Sequence, residues 1–498
     1  MKEQTPIVKE LQTNIIEFEH MFEGCADVKR RSFALGKNAD VECYIAFIEV
    51  TVSNMMLSES ILGNMISRMC ELSQGEIYRY IEENGLGISD IKEITTIEDA
   101  GMMMMTGDAV VFIDGCSKAF KIAGKGYPNM GVQSVKSEQV TRGSNESFTE
   151  SVKANTALIR KRVRSSQLKV KEIQAGRRSQ TTNALVYMDS IVRPEVLKAV
   201  EERLAAIDID GVLDSGTLEQ LMERSWRSPF PQFQTTERPD KAAMAVLEGR
   251  IVLITDNSPV SIILPVNYNS FFQTTDDYYN RWEIVSFERL IRYAASLLAM
   301  FLPAMYLAVT NFHTQLLPTK LVLAFAAARE GVPFSAVIEI LIMELAFELL
   351  REAGVRIPGN LGSTIGIVGG LIIGQAAVEA NLVSPIVVIV VALTALASFA
   401  IPNEEFGAAY RILKFVFIIV AAFLGYYGIL MAGILLLVHL AGLKSFGIPY
   451  LTPFVGSELN DYEELKDSLI RQPLFRLKRR PLFARRDQRV RMKDKEES

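Results

Sequence analysis

Charged and apolar residues are interspersed along the first half of the chain as in soluble domains, whereas residues 286–442 are dominated by Leu, Ile, Val, Ala, Phe and Gly. In the first half, an apolar, strand-like run at 43–50 is followed by helical sequence. A strand pair then comes at 110–113 and 119–122, turning at Asp114-Gly115, a strong hairpin signal. The same order returns with 184–188, a helix, and 251–254 turning through Asp256-Asn257-Ser258-Pro259 into 260–264. From Tyr44 to Val110 is 66 positions, and from Val186 to Ile251 is 65. Two readings of that spacing stay open: an internal duplication, or two α/β modules that merely share it. In the second copy Pro194 suits a first helical position, and Val196, Val200 and Leu204 recur at helical spacing. Another helix is expected over 148–166, with Arg160, Lys161, Arg162 and Arg164 as a solvated basic face. Residues 1–36 show no firm periodicity and are expected to be loosely ordered.

In the second half, 288–312 is long enough to cross a bilayer, which takes roughly 20 apolar residues. Further apolar segments follow at 334–350, 362–379 and 385–401. The block 411–443 is long for one span and short for two, and Gly425-Tyr426-Tyr427-Gly428 at its middle predicts a hairpin of two short helices. Residues 321–328 are too short to cross, which leaves an interfacial or re-entrant segment. Basic residues flank the span ends: Arg281, Arg289 and Arg292, then Arg351 and Arg356, then Arg411 and Lys414, then Lys444 and the tail. Six crossings place all of them on the cytoplasmic side, with both termini; a four-crossing arrangement with a re-entrant segment stays open.

The expected fold class is a cytoplasmic α/β (α+β) N-terminal region of two similar subdomains, followed by an α-helical multi-pass membrane domain. Its divisions are an extension at 1–36, subdomains at 37–182 and 183–284, a membrane domain at 285–443 with four to six crossings, and a basic cytoplasmic tail at 444–498. The formal net charge of −5 and mean hydropathy of +0.18 average unlike parts. From Arg471 onward there are eleven Lys or Arg against four Asp or Glu. That tail, with Arg476, Lys478, Arg479, Arg480, Arg485, Arg486, Arg489 and Arg491, is expected to meet anionic membrane lipids. Beside a membrane, nucleic acid is not needed to explain it. The four cysteines form no close pairs, which fits a reducing compartment, and the first residues lack a signal-peptide pattern.

Signals of catalysis are weak. His20, His313 and His439 are scattered, so neither a metal site nor a catalytic triad can be assembled from them. Ala123-Gly124-Lys125-Gly126 lacks the phosphate-loop pattern and reads as a turn. No enzyme activity and no cofactor are expected.

The chemistry that stands out lies inside the apolar half. On a helix at about 100° per residue, Thr364, Val368, Gln375 and Glu379 fall within roughly 60° of one another. Gly366, Gly369, Gly370 and Gly374 take up much of the remaining circumference. One reading makes the stripe pore-lining and uses Gly366, Gly370 and Gly374 for close helix packing. The other places Gln375 and Glu379 at the membrane surface. Glu339, Glu344 and Glu348 are intramembrane carboxylates, and such charge usually faces a bundle interior or a water path. Glu344, Glu348 and Glu352 share a face at i, i+4 spacing while Glu339 points elsewhere. Structural pairing, with Arg292 or Arg356, and cation attraction both fit them.

Several runs are similar to those of the GerA family of spore membrane proteins, in particular the A subunit of nutrient germinant receptors. They are Ser147-Phe148-Thr149-Glu150-Ser151, Ala206-Ile207-Asp208-Ile209-Asp210-Gly211-Val212-Leu213-Asp214-Ser215-Gly216, Ser228-Pro229-Phe230-Pro231-Gln232 and Thr236-Glu237-Arg238-Pro239. Arg329-Glu330-Gly331-Val332-Pro333-Phe334, Gly374-Gln375-Ala376-Ala377-Val378-Glu379-Ala380 and Phe446-Gly447-Ile448-Pro449-Tyr450-Leu451 continue the resemblance. It covers about residues 140–470; the first 140 residues and the tail look less typical. The resemblance implies a receptor component in the spore inner membrane that starts germination in response to a nutrient. It further implies a homo-oligomeric, pentameric cation channel, a transporter-like B subunit that mainly holds the nutrient, and a lipoprotein C subunit. A membrane-anchored scaffold for receptor clusters, a transporter-like subunit and a sporulation paralogue are the alternatives.

Overall fold

A computed structural model describes residues 5–52, 69–82, 91–122, 126, 135, 138–356 and 361–492. Side chains are described within these spans except at 80–82, 91, 355–356, 361–368, 371 and 457–458. The first lobe comprises α1 (Leu11–Met21), β1 (Val28–Leu35), β2 (Val41–Ile48), α2 (Gln74–Glu82), β3 (Ile91–Ile94), α3 (Ile97–Met105), β4 (Ala109–Ile113) and β5 (Ala119–Ile122). The second comprises α4 (Val152–Arg162), β6 (Leu168–Ala175), β7 (Thr181–Met188), α5 (Pro194–Ala205), α6 (Ser215–Met222), β8 (Gln234–Thr236), α7 (Pro239–Leu247), β9 (Ile251–Thr255) and β10 (Ser261–Leu264). Each lobe holds one antiparallel five-stranded sheet, ordered β1-β2-β4-β5-β3 in the first and β6-β7-β9-β10-β8 in the second.

The repeat extends to single hydrogen bonds. Asn14 accepts from the Val8 N–H (2.9 Å) and donates to the Val8 carbonyl (2.6 Å); Asn155 does the same with Thr149 (2.7 and 2.6 Å). The Leu11 N–H donates to Asp114 Oδ1 (3.2 Å), as the Val152 N–H does to Asp256 Oδ1 (3.0 Å). An accidental likeness of spacing does not reproduce such local devices. The lobes are two copies of one design.

Period-2 side-chain alternation explains why both sheets are covered on both faces. In β2, Tyr44, Ala46 and Ile48 pack with Phe18, Phe22 and Met104, while Val41, Cys43 and Ile45 pack with Ile77 on the other side. In β7, Ala184, Val186 and Met188 meet Ala242 and Val246, while Leu185 and Tyr187 meet Val196, Val200 and Leu204. Two expectations are corrected here. Residues 1–36 include α1 and β1, and residues 168–182, assigned from sequence to the first subdomain, pair within the second sheet.

After the one-turn helix α8 (Asp276–Tyr279) come α9 (Trp282–Asn311), α10 (Thr319–Ala328), α11 (Ala336–Arg356), α12 (Leu361–Glu379), α13 (Pro385–Phe399) and α14 (Glu404–Gly442). Among the described residues, two of these, Trp282–Asn311 and Glu404–Gly442, are long and apolar enough to cross a membrane by length and composition. The second is broken at Gly425, whose φ of 55° and ψ of −141° are not helical. Near its start, the Phe406 ring stacks on Phe271 of the second lobe at 4.9 Å. Near its end, His439 hydrogen-bonds Ser228 of the same lobe at 2.9 Å. Gly425 itself lies against Phe312, at the far end of α9. α14 therefore runs away from the lobe and folds back, as Gly425-Tyr426-Tyr427-Gly428 predicted.

The tail closes on the second lobe. Leu482, Phe483 and Ala484 are buried, and Gly249, at φ +89°, admits the Ala484 backbone where a Cβ would sit 2.8 Å from its Cα. Arg480 donates to Leu247 O (3.0 Å), Arg489 to Leu459 O (2.6 Å) and Arg491 to Leu477 O (2.9 Å). These basic residues thus belong to a folded surface rather than a free arm.

Candidate functional site

Glu339, Glu344 and Glu348 sort into two clusters on α11. Glu344 and Glu348, one turn apart, both face Lys414 of α14: its Nζ is 2.5 Å from Glu344 and 3.3 Å from Glu348. Arg411 lies 3.8 Å from Glu348. Glu344 and Lys414 are 1% and 4% exposed, so neither charge is screened by water. Pairing is what the structure shows, but with Lys414 and Arg411 in place of the expected partners. Arg292 instead donates to Asp277 (2.8 Å), and the Arg356 side chain lies outside the described residues. Lys414 carried a signal of its own, as a lone ammonium in an apolar block has the same need for a partner as a lone glutamate.

Glu339 does point elsewhere. It is fully buried, accepts from the Ser384 backbone N–H at the start of α13 (2.8 Å), and lies 3.3 Å from Arg329. The Tyr306 ring of α9 adjoins the same group.

α12 packs along α11 and touches α13 near its C-terminal end. A Cβ on Gly369 would meet Leu350 at 3.1 Å, one on Gly370 would meet Phe347 at 3.0 Å, and one on Gly374 would meet Val388 at 3.0 Å. These glycines set how closely α12 approaches its neighbours within the chain. Gln375 and Glu379 are exposed, beside exposed Ile372 and Ile373. The side chains of Thr364 and Val368, and the surroundings of Gly366, lie outside the described residues.

The sequence reading missed the joint between lobe and helices. Phe230, Tyr268, Phe271, Phe272, Phe406 and Tyr450 form one aromatic cluster. Beside it Arg289, read from sequence only as a flanking positive charge, is buried between Asp277 (2.7 Å) and Asp467 (2.7 Å). Arg160 was expected on a solvated face. It is instead buried in a two-bond pair with Asp27 of the first lobe (2.7 and 2.9 Å), while Lys161 and Arg162 hold Glu146. Burial opposes the Arg160 charge, but Asp27 holds its pKa above the ordinary value. Among the described residues, no group of three or more His, Cys, Asp or Glu is placed to hold a metal ion.

The family profile described as Bacillus/Clostridium GerA spore germination protein matches residues 16–483, so the likeness includes most of the first lobe and tail. The chain is 37% identical over 481 residues to Spore germination protein KA of Bacillus subtilis, covering 97% of this chain and 88% of that protein. It is 39% identical over 440 residues to Spore germination protein A1 of the same organism, covering 88% and 89%. It is also 39% identical over 477 residues to that organism's "Uncharacterized membrane protein YfkQ", covering 96% and 91%. The crystal structure of the N-terminal domain of the A subunit of the Bacillus megaterium spore germinant receptor GerK3 covers 54% of this chain and 99% of that chain, at 26% identity and a TM-score of 0.42. A profile match from the first lobe into the tail, with near-complete relatives above 30% identity, establishes that the chain belongs to the GerA family of spore germination proteins, among its A-subunit members.

Proposed function

We propose that this chain is the A subunit of a nutrient germinant receptor in the spore inner membrane, and that copies of it surround a cation pore lined by α12. The observation that carries this reading is the outward face of α12. Its glycines turn toward α11 and α13, leaving Gln375 and Glu379 exposed on a helix whose neighbours are apolar. Facing hydrocarbon, that face would cost several kcal/mol per charged group; facing a water-filled path between copies, it would not. On a helical wheel of the sequence, Thr364 and Val368 fall in the same sector as Gln375 and Glu379. Glu344 and Glu348 hold α11 to α14 instead.

Six crossings are supported by where the helix ends lie. α9 starts at the second lobe and ends beside Gly425. α11 starts at Ser384 and ends near Ser398 and Arg411. α14 returns to the lobe at His439. The lobes and both termini then sit in the cytoplasm. Exposed Leu297, Leu298, Leu393, Leu396, Phe423 and Leu435 meet membrane lipids. A transporter-like B subunit and a lipoprotein C subunit complete the receptor, the B subunit holding most of the nutrient site.

The test is potassium flux from liposomes containing the purified chain with its partners, before and after nutrient. Flux is expected, and Glu379→Gln should lower the preference for cations over chloride by about ten-fold. Absence of flux under every condition, from protein shown to be inserted and assembled, overturns the channel reading. The likeness to YfkQ favours one other reading, a family member acting outside a dedicated nutrient receptor. Unchanged germination with every nutrient after deletion of the gene would support it.

A further inference from the structure

At the end of the helical domain remote from the lobes, four polar side chains from four helices or their ends converge without satisfying one another. Glu339 of α11 and Ser384 at the start of α13 are fully buried, and Tyr306 of α9 is 8% exposed. Arg329, at the end of α10, forms the partly exposed wall, its Nη2 3.3 Å from Glu339 Oε1. The buried Glu339 Oε1, Ser384 Oγ, Tyr306 O–H and Arg329 Nε each have no hydrogen-bond partner. The Glu339 carboxylate makes one hydrogen bond, from the Ser384 N–H to its other oxygen. Phe325, Val383, Ala336 and Ile340 supply apolar surroundings.

A buried polar atom left unpaired costs about 1–3 kcal/mol, so four at one place mark a site that is completed by something else. Charge narrows what that is. Glu339 and Arg329 already oppose each other, so a lone cation or anion would leave an uncompensated charge in an apolar setting. The guest must be net-neutral, offer a donor to Glu339 Oε1, and offer an acceptor to Arg329 Nε and the two hydroxyls. We propose that Tyr306, Arg329, Glu339 and Ser384 form a binding site for a small zwitterionic solute, its ammonium on Glu339 and its acid group on Arg329. The site lies at the end of the bundle where a solute arriving from outside the membrane would meet it, with Arg329 at the mouth. It bridges α9, α10, α11 and α13, so occupancy fixes the relative positions of four helices at one end. The assignment rests on the four side chains alone and not on the pore.

The experiment is isothermal titration of the full-length protein in lipid nanodiscs, using glycine as the minimal zwitterion, methylammonium as its cationic half and acetate as its anionic half. Saturable binding of glycine is expected, at least about ten-fold tighter than either half. Tyr306→Phe and Ser384→Ala should each weaken it by about five-fold or more with the unfolding midpoint retained. Glu339→Gln should abolish it. No saturable binding up to about 50 mM glycine in folded protein, or binding unchanged in Tyr306→Phe and Ser384→Ala, overturns the proposal. So does a structure determined with glycine present in which water alone satisfies the four atoms. Each result is read without any ion flux, so a failed channel reading leaves it intact.

Discussion

Lys414 sits between two glutamates, buried with Glu344 away from water while Glu348 is partly exposed. Such a cluster is tolerated because its members neutralise one another, and it makes any single loss expensive. Lys414→Met leaves Glu344 buried beside an apolar chain and should lower stability by about 3–5 kcal/mol. The double variant Lys414→Met/Glu344→Leu should recover most of that loss. Thermal unfolding of the purified protein checks this, and equal losses in the single and double variants would show that the pair is not coupled. Glu219 of α6 poses the opposite case, a carboxylate with no cation at hand. Burial, reinforced by Glu405 and Glu223, pushes its pKa up from 4.5 to about 8. A carboxylate whose folded pKa is raised is happiest protonated, so its contribution is fully present below about pH 4.5 and is lost as pH rises toward 8. Stability measured across that window should fall less steeply in Glu219→Gln than in the wild type.

Among the elements, α14 shows how one residue turns a long helix into two. The two halves, 404–424 and 426–442, are each close to the roughly 20 residues a bilayer needs. Gly425 takes a backbone conformation costly to residues with a Cβ, and an added Cβ would sit 3.0 Å from Phe312. Gly425→Ala should destabilise the helical domain by about 1–3 kcal/mol, seen as a lower unfolding midpoint in detergent. A midpoint unchanged by that substitution would mean that the fold-back does not depend on the glycine. Two strands that escaped the sequence reading have a common cause. β1 and β6 are the edge strands of their sheets. Their sequences, Val28–Leu35 and Leu168–Ala175, carry charges on the exposed positions as edges commonly do. That charge breaks up the kind of apolar run by which β2 and β7 were recognised.

Across the whole molecule, the contacts between the two lobes include the buried Arg160–Asp27 pair, a more exposed Lys153–Glu49 pair (2.7 Å) and a short backbone contact. Arg160 of the second lobe holds Asp27 of the first, and the Ala26 N–H donates to Val170 O (2.9 Å). The second lobe in turn grips the helices through its aromatic cluster and the Asp277–Arg289–Asp467 group. The first lobe is thereby joined to the helical domain through the second. Arg160→Met should loosen the first link while sparing the second. Hydrogen exchange should then show the first lobe opening at lower free energy than the second, where in the wild type the two open together. Identical exchange in both proteins would show that the pair does not lock the lobes.

The sequence by itself determined the elements whose signals are local. Apolar runs and the Asp114-Gly115 turn placed the inner strands, Pro194 began a helix, and Gly425-Tyr426-Tyr427-Gly428 broke another. Quoted runs of residues carried the family likeness. It did not determine partners, because a charge on a linear chain does not say which opposite charge it will meet. Only the tertiary structure joined Glu344 to Lys414 across 70 positions and Arg160 to Asp27 across 133. Only there did Tyr306, Arg329, Glu339 and Ser384 come together, at an end of the bundle that no spacing marks. Hydrophobic pattern has a period and is legible along the chain; pairing of buried charge depends on which helix faces which, and that is settled only by packing.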